Sequence, residues 1–270
     1  MQSNSPRPIR PSGWAFRFLS LPRKVPVLFL GLLLLLAIFT ESTSAQHGAE
    51  GYEPDHDSAS PHEHRGAASA DAWEGSVAGV AYSEFNHHVA GWLLVLLALA
   101  ELRLALPPPV PRWIGFLLPG ALGVTGIFLL IWSDHEAWPI GSMSLSQTFL
   151  SGDREILQHK IYGVLALTIA CIEVLRRSGM IRHAVWMVPL PAFALIGGWM
   201  LFSHSHGVHP SADKIAVHHA IMGTLAITAG SSKLVGVWKN GLSLPVSSRW
   251  ELLWAGLILL IGVQLLFYSE

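Results

Sequence analysis

The sequence predicts an all-α membrane protein: a six-transmembrane-helix bundle built from three helical hairpins, preceded by a signal peptide and a disordered tail. Three observations predict it. Of the 270 residues, 51% are hydrophobic and only 13% charged, against about 25% charged in a soluble domain. Six apolar runs come near the roughly 20 residues that a helix needs to cross a bilayer. A short pattern also recurs three times, a histidine followed four residues on by a glycine that opens an apolar run. It reads His87-His88-Val89-Ala90-Gly91, His159-Lys160-Ile161-Tyr162-Gly163 and His219-Ala220-Ile221-Met222-Gly223.

Composition bounds the function. A net charge of −1 gives no reason to expect nucleic acid as a partner. The single cysteine, Cys171, excludes an intramolecular disulfide framework and any multi-cysteine zinc site. The outlier is histidine, present 14 times, and histidine is the commonest protein metal ligand.

Residues 1–24 carry Arg7, Arg10, Arg17, Arg23 and Lys24 without an acid, an apolar run from Val25 to Thr40 follows, and small residues lead to Ala45. That order describes a secretory signal peptide over residues 1–45, cleaved after Ala45. The alternative is an uncleaved N-terminal anchor, and both readings put residue 46 onward outside the cytoplasm. Residues 46–84 hold eight acids against a lone Arg65 and have no apolar period, so they are expected to be disordered. His47, His56, His62 and His64 make this stretch either a loose collector of metal or a solvated spacer.

Residues 85–270 form the six-helix transmembrane domain, with runs at about 86–106, 113–132, 159–176, 184–203, 216–237 and 250–268. The connections after the first, third and fifth runs hold Arg103 and Arg112, then Arg176, Arg177 and Arg182, then Lys239 and Arg249. The other connections are acidic or nearly neutral, with Asp134, Glu136, Asp153 and Glu155 against Arg154, then Asp213 against Lys214. The positive-inside rule places the basic loops in the cytoplasm, in agreement with the signal peptide. Pro119, Pro189 and Pro191 fall inside apolar runs, where membrane helices tolerate kinks.

On this topology thirteen of the fourteen histidines lie on the extracytoplasmic side, and only His183 lies on the other. His87, His88, His159, His218 and His219 open helices, His204 and His206 close the fourth, and Asp134 with His135 closes the second. Ionisable groups at membrane depth are functional candidates, and a one-sided ring of imidazoles suits a copper ion, with zinc as a second choice. Met200, four before His204, and Met222, three after His219, add thioethers that favour Cu(I). The glycine below each histidine admits two readings, clearance for a porphyrin or ordinary helix packing. Ten residues beyond these glycines stand Glu101, Glu173 and Lys233, the two acids with arginines in local reach. No P-loop, Rossmann fingerprint, HExxH, GxSxG or CxxCH motif is present. No nucleophile or acid–base pair stands out, so no catalytic residue is predicted.

The segments Ser83-Glu-Phe-Asn-His87-His88, Leu157-Gln-His159-Lys160 and Phe202-Ser-His204-Ser-His206 resemble bacterial membrane proteins of the CopD copper-resistance type. The resemblance covers most of residues 83–237 and implies an inner-membrane protein handling periplasmic copper, with His87, His159, His204 and His219 as the positions carried over. The functional expectation is a multi-pass protein of the bacterial inner membrane. It binds, and in one version transports, a transition metal through His87, His88, His159, His204, His206, His218 and His219, with Asp134 and His135 completing the shell. A periplasmic metal carrier or a redox partner would meet it there. The rival from another class is a b-type haem cytochrome for electron transfer, with two of His87, His159 and His219 as axial ligands. A third reading is a structural subunit whose histidines contact a partner.

Overall fold

A computed structural model describes residues 75–150, 152–203, 211–240 and 248–270. The expected signal peptide, the tail as far as residue 74, His204 and His206 lie outside the described residues.

Six helices are long and apolar enough to cross a membrane, and the chain reads as a multi-pass membrane protein. They are α1 (Val77–Ala105), α2 (Leu117–Ile131, after a 3-10 turn at Arg112–Phe116), α4 (Arg154–Arg177), α5 (Pro189–Ser203, after a 3-10 turn at Ala184–Met187), α6 (Ala212–Asn240) and α7 (Arg249–Leu266). A short α3 (Leu145–Leu150) lies in the connection before α4. Pro119, Pro189 and Pro191 do not kink helix interiors. They stand in the first turns of α2 and α5, where the missing N–H has no intrahelical partner to lose. Helix α1 starts at Val77, inside the stretch expected to be disordered. Ser76 caps it, its hydroxyl accepting from the Gly79 amide at 3.1 Å, and a cap of this kind is worth about 1 kcal/mol.

Each helix packs against its neighbours in sequence, and α7 closes back on α1, so the six form a ring in chain order. The most extensive contacts differ from the expected hairpins by one helix: α1 with α7, α2 with α4, and α5 with α6. Glycine explains the shift. A Cβ built on Gly126 would stand 2.9 Å from the Gly163 carbonyl oxygen, and one on Gly163 would stand 3.0 Å from that of Gly126. The same reciprocity holds for Gly198 and Gly223 (2.8 and 2.7 Å) and for Gly91 and Gly262 (3.0 and 3.2 Å). Each glycine of the repeated pattern is therefore the crossing point of one tight pair, where only a bare backbone fits. The porphyrin-clearing reading of these glycines gives way to packing.

At the end opposite the histidines a buried charge network ties the helices together. Arg177 donates to Glu101 at 2.9 Å and to Glu173 at 2.8 Å, and its Nη1 reaches the Gly115 carbonyl at 2.7 Å. Arg176 makes two further bonds to Glu173. Lys233 lies 2.6 Å from Glu251 and 3.5 Å from Glu101. Local pairing was expected of Glu101 and Glu173. Glu173 pairs locally, with Arg176 and Arg177 of its own helix, whereas Glu101 is met by Arg177 of α4 and Lys233 of α6, so the network joins α1, α4, α6 and α7 with three carboxylates facing three cations.

Two outcomes follow from this packing. Gly126→Ala and Gly223→Ala should each cost about 1–3 kcal/mol through overpacking, whereas Gly120→Ala, with nothing within 4 Å of its Cβ, should be neutral or stabilising by up to about 1 kcal/mol. Melting of the detergent-purified variants checks this, and equal melting of all three would contradict the close crossings. Arg177→Met should cost about 3–5 kcal/mol because it leaves Glu101 and Glu173 short of a partner, and adding Glu173→Gln should restore part of the loss.

Candidate functional site

The helices of the ring surround a cavity of about 420 Å³. It reaches from the histidine end, where Asp134, His135 and Glu155 line it, down to Leu97 and Trp254 near the charge network. From His87 to Leu97 along α1 is ten residues, or about 15 Å of helix. His87, His159, His219 and His135 line it, as do Met200 and Met222.

The imidazoles are oriented by the groups around them. His87 donates from Nδ1 to the Ser83 carbonyl one turn back at 2.8 Å, which puts its lone pair on Nε2. His159 uses Nδ1 toward the Asp134 carboxylate at 2.7 Å, with the same consequence. Metal-binding histidines characteristically anchor their second nitrogen in this way. His219, buried on α6, stands with its ring centre 6.3 Å from that of His87 and tilted by 32°.

Asp134 holds the rim together. Its second oxygen accepts from Lys160 at 3.0 Å and from the Ser133 hydroxyl at 2.5 Å. Lys160 is only 1% exposed and also donates to the Leu129 and Leu130 carbonyls that end α2. Burial works to raise the Asp134 carboxyl, but the hydrogen bond from His159, the Ser133 hydroxyl and the Lys160 ammonium outweigh it and hold the group below its usual 3.8. Expected as a metal ligand, Asp134 has both oxygens committed to orienting His159 and neutralising Lys160.

The nine residues expected at the site separate. His87, His159 and His219 come together on the cavity, with Asp134 and His135 at its rim. His88 and His218 do not line it. His88 donates from Nε2 to the Tyr268 carbonyl at 3.0 Å, while His218 lies against Gln264 and meets the Tyr268 ring edge-on at 5.4 Å. A helix turns 100° per residue, so one histidine of each adjacent pair must face away from the axis. Among the described residues no three of the His, Cys, Asp and Glu side chains converge on one metal point. His204 and His206 lie outside the described residues.

Sequence reasoning missed Tyr268, the largest fully buried side chain among the described residues. Its ring stacks on His87 at 3.9 Å and 20°. Its hydroxyl donates to Glu270 at 3.1 Å, and the Ser83 hydroxyl donates to the same carboxylate. Burial first, then the Glu270 carboxylate, push the Tyr268 phenol up, so it stays a donor. Nothing in the sequence marks a tyrosine after a hydrophobic run as a histidine platform. Lys160 did carry a signal, a cation one residue from a histidine inside an apolar run. A scan of protein-family models and searches of curated proteins and of solved structures each found no match to this chain.

Because the carboxyl is held low, Asp134 stabilises the fold above its ordinary range and loses that contribution as pH falls through the lowered value. Asp134→Asn should therefore lower the melting temperature at neutral pH, by the equivalent of about 3 kcal/mol for a broken buried pair. The gap between variant and wild type should close as acid protonates the native carboxyl. A gap that widens on acidification would contradict the assignment.

Proposed function

We propose that this protein binds a transition-metal ion, copper in its monovalent state, at the histidine end of the central cavity. The donor set is the imidazoles of His87 and His219 with the thioethers of Met200 and Met222, and His159 lines the same cavity without converging with them on one point. The observation that carries the reading is the facing pair His87 and His219, 6.3 Å apart between ring centres on a cavity that both methionines also line. A metal with two imidazoles at about 2.0–2.1 Å separates their centres by about 6 Å. Soft thioethers beside imidazole in apolar surroundings select Cu(I) over harder ions. The likeness to CopD-type proteins supports the choice of copper.

The arginine end, with Arg103, Arg112, Arg182, Lys239 and Arg249, faces the cytoplasm of a bacterial inner membrane on this reading, and the histidine end faces the periplasm. A periplasmic carrier would hand metal to the acidic rim. The reading is binding and exchange at one face. Below the imidazoles the cavity wall is largely apolar, and beneath it the Glu101–Lys233 pair closes the way with balanced charge. One observation favours a second reading, a b-type haem between His87 and His219: the cavity beneath them is far larger than an ion needs.

Absorption spectroscopy with elemental analysis of the detergent-purified protein separates the two. The expected result is about one copper per chain without a Soret band, lost in the His87→Ala/His219→Ala variant. Because ligation needs neutral imidazole, copper should be released as pH falls through about 6.5. Full retention at pH 4.5, or stoichiometric iron with a Soret band, would overturn the copper reading.

A further inference from the structure

The connection from α2 to α4 carries a surface that the cavity does not use. From Ala137 to Gly152 sixteen consecutive residues are without charge, although Asp134 and Glu136 precede them and Asp153, Arg154 and Glu155 follow. Within the stretch Trp138, Ile140, Leu145 and Phe149 are between 42% and 52% exposed, and Leu150 is 82% exposed. None of these five side chains lines the cavity. Large apolar side chains clustered on an outer surface mark a place that meets another phase or another molecule.

A built structure displays them. Gly141 closes a tight turn in which a Cβ would collide with the Glu136 carbonyl, and the Met143 amide donates to that carbonyl at 2.9 Å. Helix α3 then opens with a reciprocal cap. The Ser144 hydroxyl accepts from the Gln147 amide at 3.2 Å, and the Gln147 side chain accepts from the Ser144 amide at 2.8 Å. Thr148, buried, turns inward and its hydroxyl accepts from the Trp138 amide at 2.9 Å, which ties the tryptophan to the helix. At 100° per residue Leu145, Phe149 and Leu150 share an arc of about 140°, and Gln147 falls outside it.

The root of the segment fixes its depth. Asp134 meets His159 and Lys160, and Lys160 also reaches the Leu129 and Leu130 carbonyls that end α2. His159 opens the apolar run of α4, five residues beyond its first residue, Arg154, or about 8 Å along the helix. The chain thus leaves α2 level with the edge of the apolar layer and rejoins α4 above it. An interfacial segment sinks its apolar side about 5–10 Å into the boundary between headgroups and acyl chains, which is the same interval. A soluble protein partner fits less well, because charged groups give such contacts their register and selectivity and this stretch offers none. Tryptophan among uncharged polar residues suits the membrane interface instead. We propose that residues 137–150 lie in the interfacial layer of the leaflet at the histidine end, with Trp138, Ile140, Leu145, Phe149 and Leu150 dipping into the acyl boundary. Lipid then braces the segment that carries Asp134 to His159. The inference rests on this segment and not on the metal reading.

The test is spin-label accessibility of the full chain in lipid nanodiscs, in a Cys171→Ser background, with a nitroxide introduced through Leu145→Cys, Phe149→Cys or Leu150→Cys. Leu260→Cys, exposed on α7, gives the lipid reference, and Asp213→Cys, exposed in the first turn of α6, gives the aqueous one. The expected result at all three positions is a ratio of oxygen to nickel-chelate accessibility severalfold above that of the aqueous reference. Ratios equal to the aqueous reference would overturn the proposal and leave the patch to a soluble partner. A second measurement keeps the native cysteine and the native α3. The share of tryptophan fluorescence lost in Trp138→Phe should be quenched by lipids brominated high on their acyl chains and spared by aqueous iodide. Quenching of that share by iodide, with none by the brominated lipids, would also overturn the proposal.

Discussion

The constraint on which the bundle depends is the need to partner charge where water is scarce. Glu101, Glu173 and Lys233 are each nearly buried, and an uncompensated charge in such a place costs several kcal/mol. Arg177 bridges the two acids, and Lys233 reaches Glu101 from a third helix. These three residues follow His87, His159 and His219 by the same fourteen positions, about 21 Å along a helix. Once the charges are brought to one level at one end, three helices of equal reach bring their histidines to one level at the other. The network works as a ruler for the site, although it lies about four turns away from it.

The glycines set the lateral spacing that the charges do not. Each histidine helix touches the helix beside it through a glycine facing a glycine, and the six such residues fall on three crossings. Close approach at those crossings pulls the helices together in pairs, and in a lipid environment this packing replaces the hydrophobic effect as the source of association. The pairs leave the axis of the ring open. A central cavity and tight helix pairs are thus two results of the same placement of small residues.

Much of the fold was legible because hydropathy and charge act at the level of whole segments. Six apolar runs, and the alternation of basic and acidic connections, survive any detail of packing. The hairpin pairing was not legible, because it depends on which glycine meets which, and Gly126, Gly198 and Gly262 have no histidine nearby to mark them. The start of α1 was hidden for a different reason. Its first turns, Val77 to Tyr82, sit beside an acidic stretch, and a single capping serine rather than composition decides where the helix begins. At the site, the histidine type and the repeat identified His87, His159 and His219, while helix rotation separated them from His88 and His218. The roles of Asp134 and Tyr268 were beyond sequence, since a carboxylate that orients an imidazole and one that binds a metal look alike in one dimension.

The interior divides into two regimes, and this division bears on what the protein can hold. At the histidine end, carboxylates, imidazoles and a buried lysine satisfy one another around a rim, an environment that welcomes a cation and orients its ligands. Below, the walls are largely apolar, and a hydrated ion would lose its shell with little to replace it. The balanced pair Glu101–Lys233 at the bottom offers no net charge to draw a cation inward. On the proposed reading, a metal ion would therefore stop at the imidazoles.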